Sequence, residues 1–165
     1  MEIRKIFFDM DGVLADFDRG VIELCKREPL DQNLPRTDAE DDALWASVRT
    51  IPNFYYKLQP MEGAVELFHR VRQVYGDRVE ILTGIPRPKR GILTAGEDKI
   101  RWVRDYLDTD VVVNVVLRAE KPQYCTGPDC ILIDDYTLNI QEWEAEGGTG
   151  ILFESANQVR EALGL

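Results

Sequence analysis

The hydrophobic pattern of the chain alternates between two periods, and this alternation predicts strands separated by helices. Short and mostly apolar runs are typical of strands that are buried on both faces of a parallel sheet. Such runs occupy about 3–8, 79–83, 111–117, 130–133 and 150–153. Between them, apolar residues recur every three or four positions, as on the buried face of a helix. Helices are predicted for about 17–28, 38–49, 61–75, 96–107, 138–146 and 157–163.

Strands that alternate with helices indicate an α/β fold with a three-layer, parallel-sheet Rossmannoid core. The length of 165 residues suits a single domain, 1–165. The segment between the first two strands is much longer than a crossover needs. We therefore expect a small helical cap at about 17–58, inserted after the first strand, and a core formed by about 1–16 and 59–165. A dinucleotide-binding fold is the main rival, but no GxGxxG motif follows any predicted strand.

The same patterns give expectations for individual helix residues. Asp38 is predicted to cap the second helix, whose first turn is acidic. In the helix at about 96–107, Ile100, Val103 and Leu107 are expected to face the core. Lys99 lies in the first turns of that helix, near the positive end of the helix dipole. A solvated lysine and a functional lysine both fit this position, although a phosphate at the helix end would explain it.

Composition and charge narrow the classes of partner. The chain has 30 acidic and 20 basic residues and a formal net charge of −10, which disfavours binding to a nucleic-acid polymer or an anionic membrane. No apolar stretch approaches the roughly 18 residues of a membrane-spanning helix, and no signal segment opens the chain, so we expect a cytoplasmic protein. The three cysteines have no metal or redox spacing and are expected to be reduced thiols. The oligomeric state is not defined by these features.

Two carboxylates follow the first predicted strand and form the candidate reaction centre. Asp9 and Asp11 flank a single residue, and a turn that opens at Gly12 can aim both at one small volume. Carboxylates so close repel each other, which makes Mg²⁺ a natural third partner. A calcium-binding loop is excluded, because Val13 and Gly20 stand where such a loop needs oxygen ligands. A solvated turn after an edge strand is the other interpretation.

Other polar residues are predicted at the same edge of the sheet, where the carboxyl ends of parallel strands meet. Thr83 ends the second strand, Lys121 follows the third, and Asp134 and Asp135 end the fourth. His69 is the only histidine and is predicted to lie on a helix surface, so Ser-His-Asp and Cys-His chemistry are excluded. Covalent catalysis would have to use a carboxylate.

The motifs DMDGVLADF, Thr83, a lysine and IDD resemble, in this order, the four motifs of the haloacid dehalogenase (HAD) superfamily of aspartyl phosphotransferases. The resemblance covers the entire chain. Within that superfamily the chain is most similar to the 5′(3′)-deoxyribonucleotidases, through DMDGVLADF, the helix segment GEDKIRWV and a lysine shortly before LIDD. The resemblance implies a HAD-like fold and phosphate-ester chemistry.

The resemblance also implies roles for the residues that match the motifs. Asp9 would be the nucleophile and Asp11 the general acid and base. Thr83 and Lys121 would hold the phosphate, and Lys99 would be a second phosphate or substrate contact. Because Lys121 follows a strand, we expect it at the transferring phosphate, and we expect Lys99 at the periphery of the substrate.

A metal site follows from the same resemblance. Mg²⁺ would be held by the carboxylates of Asp9 and Asp134 and by the carbonyl of Asp11, while Asp135 would act through the waters of the metal. Gly84 occupies a phosphate-binding position where the family carries a serine, so that hydroxyl is missing here.

The function implied is a Mg²⁺-dependent phosphomonoesterase with an aspartyl-phosphate intermediate. Its expected partner is a small phosphate monoester, and the family favours a 5′-nucleotidase acting on (deoxy)nucleoside monophosphates. Phe17, Trp45 and Arg87 are expected to contact this substrate. One alternative is a phosphatase or phosphotransferase for another small phosphate, such as a sugar phosphate. A second alternative, from another class, is a non-catalytic phosphate-binding regulatory module.

Overall fold

The computed structural model describes all residues, 1–165, and contains one five-stranded parallel sheet with helices on both faces. The strands are β1 (Lys5–Phe8), β2 (Val79–Ile85), β3 (Val113–Leu117), β4 (Cys130–Asp134) and β5 (Thr149–Leu152). The helices are α1 (Phe17–Cys25), α2 (Asp38–Arg49), α3 (Ala64–Tyr75), α4 (Ala95–Tyr106), α5 (Thr137–Ala145) and α6 (Ala156–Leu163). Every predicted element is present, which confirms the α/β fold class.

The order of the strands in the sheet is β3-β2-β1-β4-β5. All neighbours are parallel, and Phe8 in β1 lies opposite Ile81 in β2 and Ile133 in β4. The chain moves outward from β1 through β2 to β3 and then returns to the other side of β1 to form β4. Connections therefore diverge between β1 and β4, and ligands of parallel α/β sheets bind beyond the carboxyl ends of strands at such a point.

Side chains alternate between the two faces of the sheet and build two hydrophobic clusters. Phe8, Ile81 and Ile133 belong to the larger cluster, together with residues of α3, α4 and α6. Phe7, Leu82 and Leu132 belong to the smaller cluster, which α5 completes with Ile140 and Trp143. Burial on both faces explains why these strands are almost wholly apolar in sequence.

The long insertion predicted after β1 contains α1, α2 and a 3-10 helix at Phe54–Lys57. Thr37, and not Asp38, caps α2: its hydroxyl accepts a hydrogen bond from the amide of Glu40 at 3.1 Å, and the Glu40 carboxylate returns to Thr37. A threonine three residues before a glutamate forms this reciprocal capping box, so Asp38 becomes the first helical residue. None of the helices is long and apolar enough to cross a bilayer.

The prediction that Ile100 faces the core is wrong, because its side chain is 39% exposed. Helix α4 turns Asp98, Lys99, Trp102 and Val103 inward instead. The Trp102 indole is completely buried and donates a hydrogen bond to the Leu58 carbonyl at 2.9 Å, which fixes the rotation of the helix. Two charged side chains consequently enter the protein interior beside it.

Candidate active site

The turn after β1 places Asp9 and Asp11 at the carboxyl edge of the sheet. The amide of Asp9 still donates to the carbonyl of Ile133, at 2.9 Å, so Asp9 is fixed as if it were one more residue of β1. The chain then turns tightly at Gly12, which has a φ of 80°. A Cβ atom at Gly12 would overlap the carboxylate of Asp135. This position therefore requires glycine both for its backbone conformation and for the approach of Asp135.

Lys121 joins the ends of β1 and β4. Its ammonium group donates to Asp9 Oδ1 and to Asp134 Oδ2, both at 2.9 Å, and the side chain is almost completely buried. Asp134 also accepts hydrogen bonds from the amide of Tyr136, at 2.9 Å, and from the side-chain amide of Asn139, at 3.0 Å. The Asp134 carboxylate is thus fully buried and held by three donors.

Burial and mutual repulsion shift the titration of this group of residues. Burial raises the pKa of Asp134 to about 6; the charge of Asp9 adds to the rise and Lys121 opposes it. Burial, followed by the charges of Asp9, Asp134 and Asp11, raises the pKa of Asp135 to about 9. Burial alone would lower the pKa of Lys121, but the charges of Asp9 and Asp134 outweigh it and raise that pKa. A further cation in this cluster would favour the ionised forms of Asp134 and Asp135.

Lys99 lies at the centre of the acidic cluster, whereas we expected it at the periphery of the substrate. Its ammonium donates to Asp11 Oδ2 at 2.9 Å, to Thr83 Oγ1 at 2.8 Å and to the Gly84 carbonyl at 2.8 Å. The side chain is 1% exposed, and Nζ lies 4.6 Å from the centre of the Tyr55 ring. Because an ammonium group has three donors, all of them are engaged within the protein. The inward rotation of α4 accounts for this position.

The carboxylates fit a divalent cation. Ligand atoms of Asp9, Asp134 and Asp135 all lie within 4.8 Å of one another. Asp11 Oδ1 is buried and has no hydrogen-bond partner. Four acidic groups here share two lysines, which leaves negative charge that a hard cation with oxygen ligands can balance.

The two acids that end β4 differ in how many hydrogen bonds their carboxylates accept. Asp134 was expected to bind metal directly, yet its carboxylate is already held by Lys121, Asn139 and an amide. The Asp135 carboxylate is hydrogen-bonded to its own backbone amide, and it faces Gly12. Asp135 therefore has more free ligand capacity than Asp134.

A cleft of about 960 Å³ opens above these residues, and it is lined by both the insertion and the sheet edge. Phe17, Trp45 and Arg87, which were expected to contact substrate, all line it. The ring centre of Phe17 lies 6.0 Å from that of Trp45, so two of the aromatic side chains pack together on one wall. Arg87 is exposed and forms no ion pair. The volume is in the range of clefts that hold small organic ligands.

The structure has room for a side chain at position 84, so crowding does not explain the glycine there. A Cβ atom there would lie 3.5 Å from the backbone of Arg118, which is an ordinary contact. The Gly84 carbonyl accepts a hydrogen bond from Lys99 at 2.8 Å, and Gly84 lies opposite Val116 of β3. A serine hydroxyl is therefore missing although the fold would accept one.

Two supporting residues, Asn139 and Asn33, were not found from the sequence. Asn139 donates to Asp134 and accepts from Arg118 at 3.1 Å, so it fixes the acid that Lys121 contacts. Asn33, in the connection between α1 and α2, donates to the carbonyl of Asp135 at 3.0 Å and accepts from the amide of Thr137 at 2.9 Å. No periodicity or motif marks Asn33, whereas the place of Asn139 one turn into the helix after IDD was an available signal.

The sequence predicted that neither histidine nor cysteine takes part in catalysis. His69 is exposed on α3, and its Nε2 lies 2.8 Å from the Leu107 carbonyl. It forms no hydrogen bond to the acidic cluster and does not line the cleft. Cys25, Cys125 and Cys130 are all free thiols. Neither residue type contributes a nucleophile to the cleft, in agreement with a centre built from carboxylates.

Sequence comparison adds a family to this geometry. Residues 2–161 match the sequence model of the family described as "5' nucleotidase, deoxy (Pyrimidine), cytosolic type C protein". The cytosolic-type human 5′(3′)-deoxyribonucleotidase is 28% identical over 161 residues, which cover 85% of this chain and 77% of the human protein. The human mitochondrial 5′(3′)-deoxyribonucleotidase is 26% identical over 150 residues, with 79% of this chain and 61% of that protein covered.

Structural comparison supports the same fold at lower sequence identity. A HAD-superfamily hydrolase from Ehrlichia chaffeensis superposes with a TM-score of 0.51 at 14% identity. The superposition covers 99% of this chain and 97% of the other. The HAD-like architecture expected from the motifs is thereby confirmed.

Proposed function

The chain belongs to the 5′ nucleotidase, deoxy (pyrimidine), cytosolic type C family, and from this premise we propose that it hydrolyses nucleoside monophosphates through an aspartyl-phosphate intermediate. The observation that carries the proposal is the Lys121 ammonium, which binds both Asp9 and Asp134 at the point where the strand connections diverge. A phosphate dianion that approaches Asp9 meets strong repulsion, and a buried lysine on the nucleophile itself reduces it.

Asp9 and Asp11 have the arrangement that two successive displacements need. Lys121 holds one oxygen of Asp9, and the other is free to attack phosphorus. The bond between phosphorus and the alcohol oxygen breaks, and Asp11 gives that oxygen a proton. A water molecule, which Asp11 then deprotonates, attacks the same phosphorus, releases inorganic phosphate and restores the Asp9 carboxylate. Lys99 fixes Asp11 for both steps through its hydrogen bond to Oδ2.

Asp9, Asp134 and Asp135, together with the backbone of Asp11, are the groups that would hold Mg²⁺. When bound, Mg²⁺ supplies positive charge to the phosphate oxygens and to the carboxylates. Thr83, whose hydroxyl is buried and oriented by Lys99, is proposed to contact the phosphate together with Lys121.

The substrate class rests on the cleft and on the family. An aromatic wall of Phe17 and Trp45 suits a planar base, and Arg87 is a cation without a protein partner. The relatives that match are named as 5′(3′)-deoxyribonucleotidases. We infer a nucleoside 5′-monophosphate as the substrate and the cytoplasm as the place of action.

The test is turnover of a panel of phosphate monoesters, in Mg²⁺ and in excess chelator, by the wild type and by Asp9→Asn. Asp77→Asn is the matched control, because the Asp77 side chain is fully exposed and remote from the cleft. We expect Mg²⁺-dependent release of phosphate from nucleoside monophosphates by the wild type and Asp77→Asn, and none by Asp9→Asn. A preference for sugar phosphates would show that the enzyme is a sugar-phosphate phosphatase and not a nucleotidase. Binding without turnover of any ester would favour a regulatory module and refute the enzyme.

A further inference from the structure

Tyr55 presents a polar group to the cleft that nothing in the protein uses. The residue lies in the 3-10 helix Phe54–Lys57, is 2% exposed and lines the cleft above the acidic cluster. Its hydroxyl forms no hydrogen bond within the protein, and the oxygen atom, unlike the ring, is accessible from the cleft. A hydroxyl that is open to the cleft is free to donate a hydrogen bond to a ligand there.

The surroundings hold the Tyr55 ring in a fixed place. Lys99 Nζ lies against one face of the ring, 4.6 Å from its centre, and the Phe54 ring packs edge-on at 5.4 Å. Asn53, just before this 3-10 helix, donates to the buried Asp98 of α4 at 2.9 Å. Burial, with a smaller contribution from Asp11, raises the pKa of Tyr55 well above its usual range, so the hydroxyl keeps its proton at neutral pH. It is therefore a fixed donor.

The position of Asp11 identifies the part of the substrate that this donor faces. In the displacement proposed above, the leaving oxygen lies opposite Asp9 and receives its proton from Asp11. Lys99 Nζ donates to Asp11 Oδ2 at 2.9 Å and lies 4.6 Å from the centre of the Tyr55 ring, so Asp11 and Tyr55 flank the same ammonium group. Tyr55 thus lies on the side of the leaving alcohol, which in a nucleotide is the sugar.

We propose that the Tyr55 hydroxyl donates a hydrogen bond to a sugar hydroxyl of the substrate and thereby selects sugar-containing esters over simpler phosphate monoesters. This inference rests on the proposed function, because it takes the side of the leaving group from that reaction. Tyr55 is a specificity residue and takes no part in bond breaking. The neighbouring rings of Phe17 and Phe54 offer only apolar surface, so Tyr55 supplies a polar contact among these aromatic residues.

Tyr55→Phe removes the oxygen alone, and it keeps the ring against Lys99. Tyr56→Phe is the matched control, because the Tyr56 hydroxyl donates to Asp105 at 2.5 Å and its residue does not line the cleft. The kinetic constants are measured for a ribonucleoside 5′-monophosphate, for its 2′-deoxy and 3′-deoxy analogues, and for phenyl phosphate, which has no sugar.

We expect Tyr55→Phe to lower kcat/KM for the ribonucleotide by about 2- to 12-fold, the factor of one ordinary hydrogen bond. Phenyl phosphate should be unaffected, as should both substrates in Tyr56→Phe. With the wild type, one of the two deoxy analogues should have a kcat/KM lower than that of the ribonucleotide by the same factor. With Tyr55→Phe, this difference between the analogue and the ribonucleotide should disappear. The comparison of the deoxy analogues with the ribonucleotide needs only the wild type, so it can be made even if Tyr55→Phe folds poorly.

Equal losses on the ribonucleotide and on phenyl phosphate would overturn the inference, because Tyr55 would then act through Lys99. No loss on any substrate would overturn it as well. If the wild type hydrolyses no ester, the proposed function fails. Calorimetric binding of the ribonucleotide and of inorganic phosphate to the wild type and Tyr55→Phe then decides the inference separately. A weakening confined to the ribonucleotide supports it, and equal affinities overturn it.

Discussion

Lys99→Met tests whether Lys99 organises the centre of the site or only its edge. Methionine retains the length and most of the volume of the side chain, so little cavity is created. It removes the donor shared by Asp11, Thr83 and the Gly84 carbonyl. The substitution therefore isolates the ammonium group and its three hydrogen bonds.

The cost in stability can be reasoned from these contacts. Removing one partner of a buried pair costs about 3–5 kcal/mol, mostly through the group left unpaired. The Asp11 side chain is 28% exposed and can hydrogen-bond to water once Lys99 is gone, so the cost of leaving Asp11 unpaired is smaller here. The Gly84 carbonyl loses the hydrogen bond from Lys99, at a cost of about 1–3 kcal/mol. We expect the free energy of unfolding to fall by about 2–3 kcal/mol.

The cost in activity follows from lost positioning. Asp11 and Thr83 both lose the contact that orients them, and a displacement of about 1 Å at reacting groups can cost 10²-fold. We expect kcat for a nucleoside monophosphate to fall by about two orders of magnitude. Urea denaturation in chelator measures stability, and steady-state kinetics in Mg²⁺ measures kcat and KM. Lys89→Met is the control, because Lys89 is an exposed loop residue and its loss should change neither quantity.

The opposite kinetic pattern would refute this reasoning. A peripheral lysine, as expected from the sequence, would raise KM when removed and leave kcat within about twofold. If Lys99→Met did this and unfolded at the same urea concentration as the wild type, the buried contacts of Lys99 would not describe the working enzyme.

Three further outcomes are expected. Asp135→Ala should weaken Mg²⁺ binding more than Asp134→Ala does, by calorimetry, because Asp134 is already held by Lys121 and Asn139; the reverse order would restore Asp134 as the main ligand. The fold raises the pKa of Asp135 from 3.8 to about 9, so in chelator its contribution to stability is full below about pH 4 and is lost as pH rises through about 9. Asp135→Asn should therefore gain unfolding free energy relative to the wild type between pH 5 and pH 8 in urea denaturation, and a pH-independent difference would contradict this. Gly12→Ala should abolish Mg²⁺-dependent turnover, because its Cβ displaces Asp135 and a φ of 80° is strained for alanine; activity within about twofold of the wild type would exclude this contact.

Residues that extend a strand were predictable from the sequence, because the backbone fixes where they emerge. Asp9 and Asp134 follow adjacent buried strands, and any parallel sheet brings such residues to one edge. Thr83 lies within β2 beside them. Their apolar strands are unambiguous, so the two faces of the sheet and the location of the cleft follow with them.

Residues whose role depends on the rotation or docking of a helix were not predictable in the same way. Lys99 enters the centre because Trp102 fixes the inner face of α4, and the helical periodicity alone placed Ile100 there instead. Asn33 belongs to an irregular connection and Tyr55 to a single turn of 3-10 helix, and neither is long enough for a period to relate sequence position to direction. Their contacts depend on how the insertion packs over the sheet edge, which long-range packing decides.

The central claim is that Asp9 becomes phosphorylated during turnover, and acid quenching of the working enzyme tests it most directly. The wild type is mixed with a nucleoside monophosphate carrying radiolabelled phosphate in Mg²⁺, stopped in acid, digested and mapped by mass spectrometry. We expect label on the peptide that contains Asp9. Hydroxylamine should remove this label, as it does from an acyl phosphate, and Asp9→Asn should carry none. Rapid turnover with no label on any carboxylate at any quench time, or label that persists in Asp9→Asn, would contradict it.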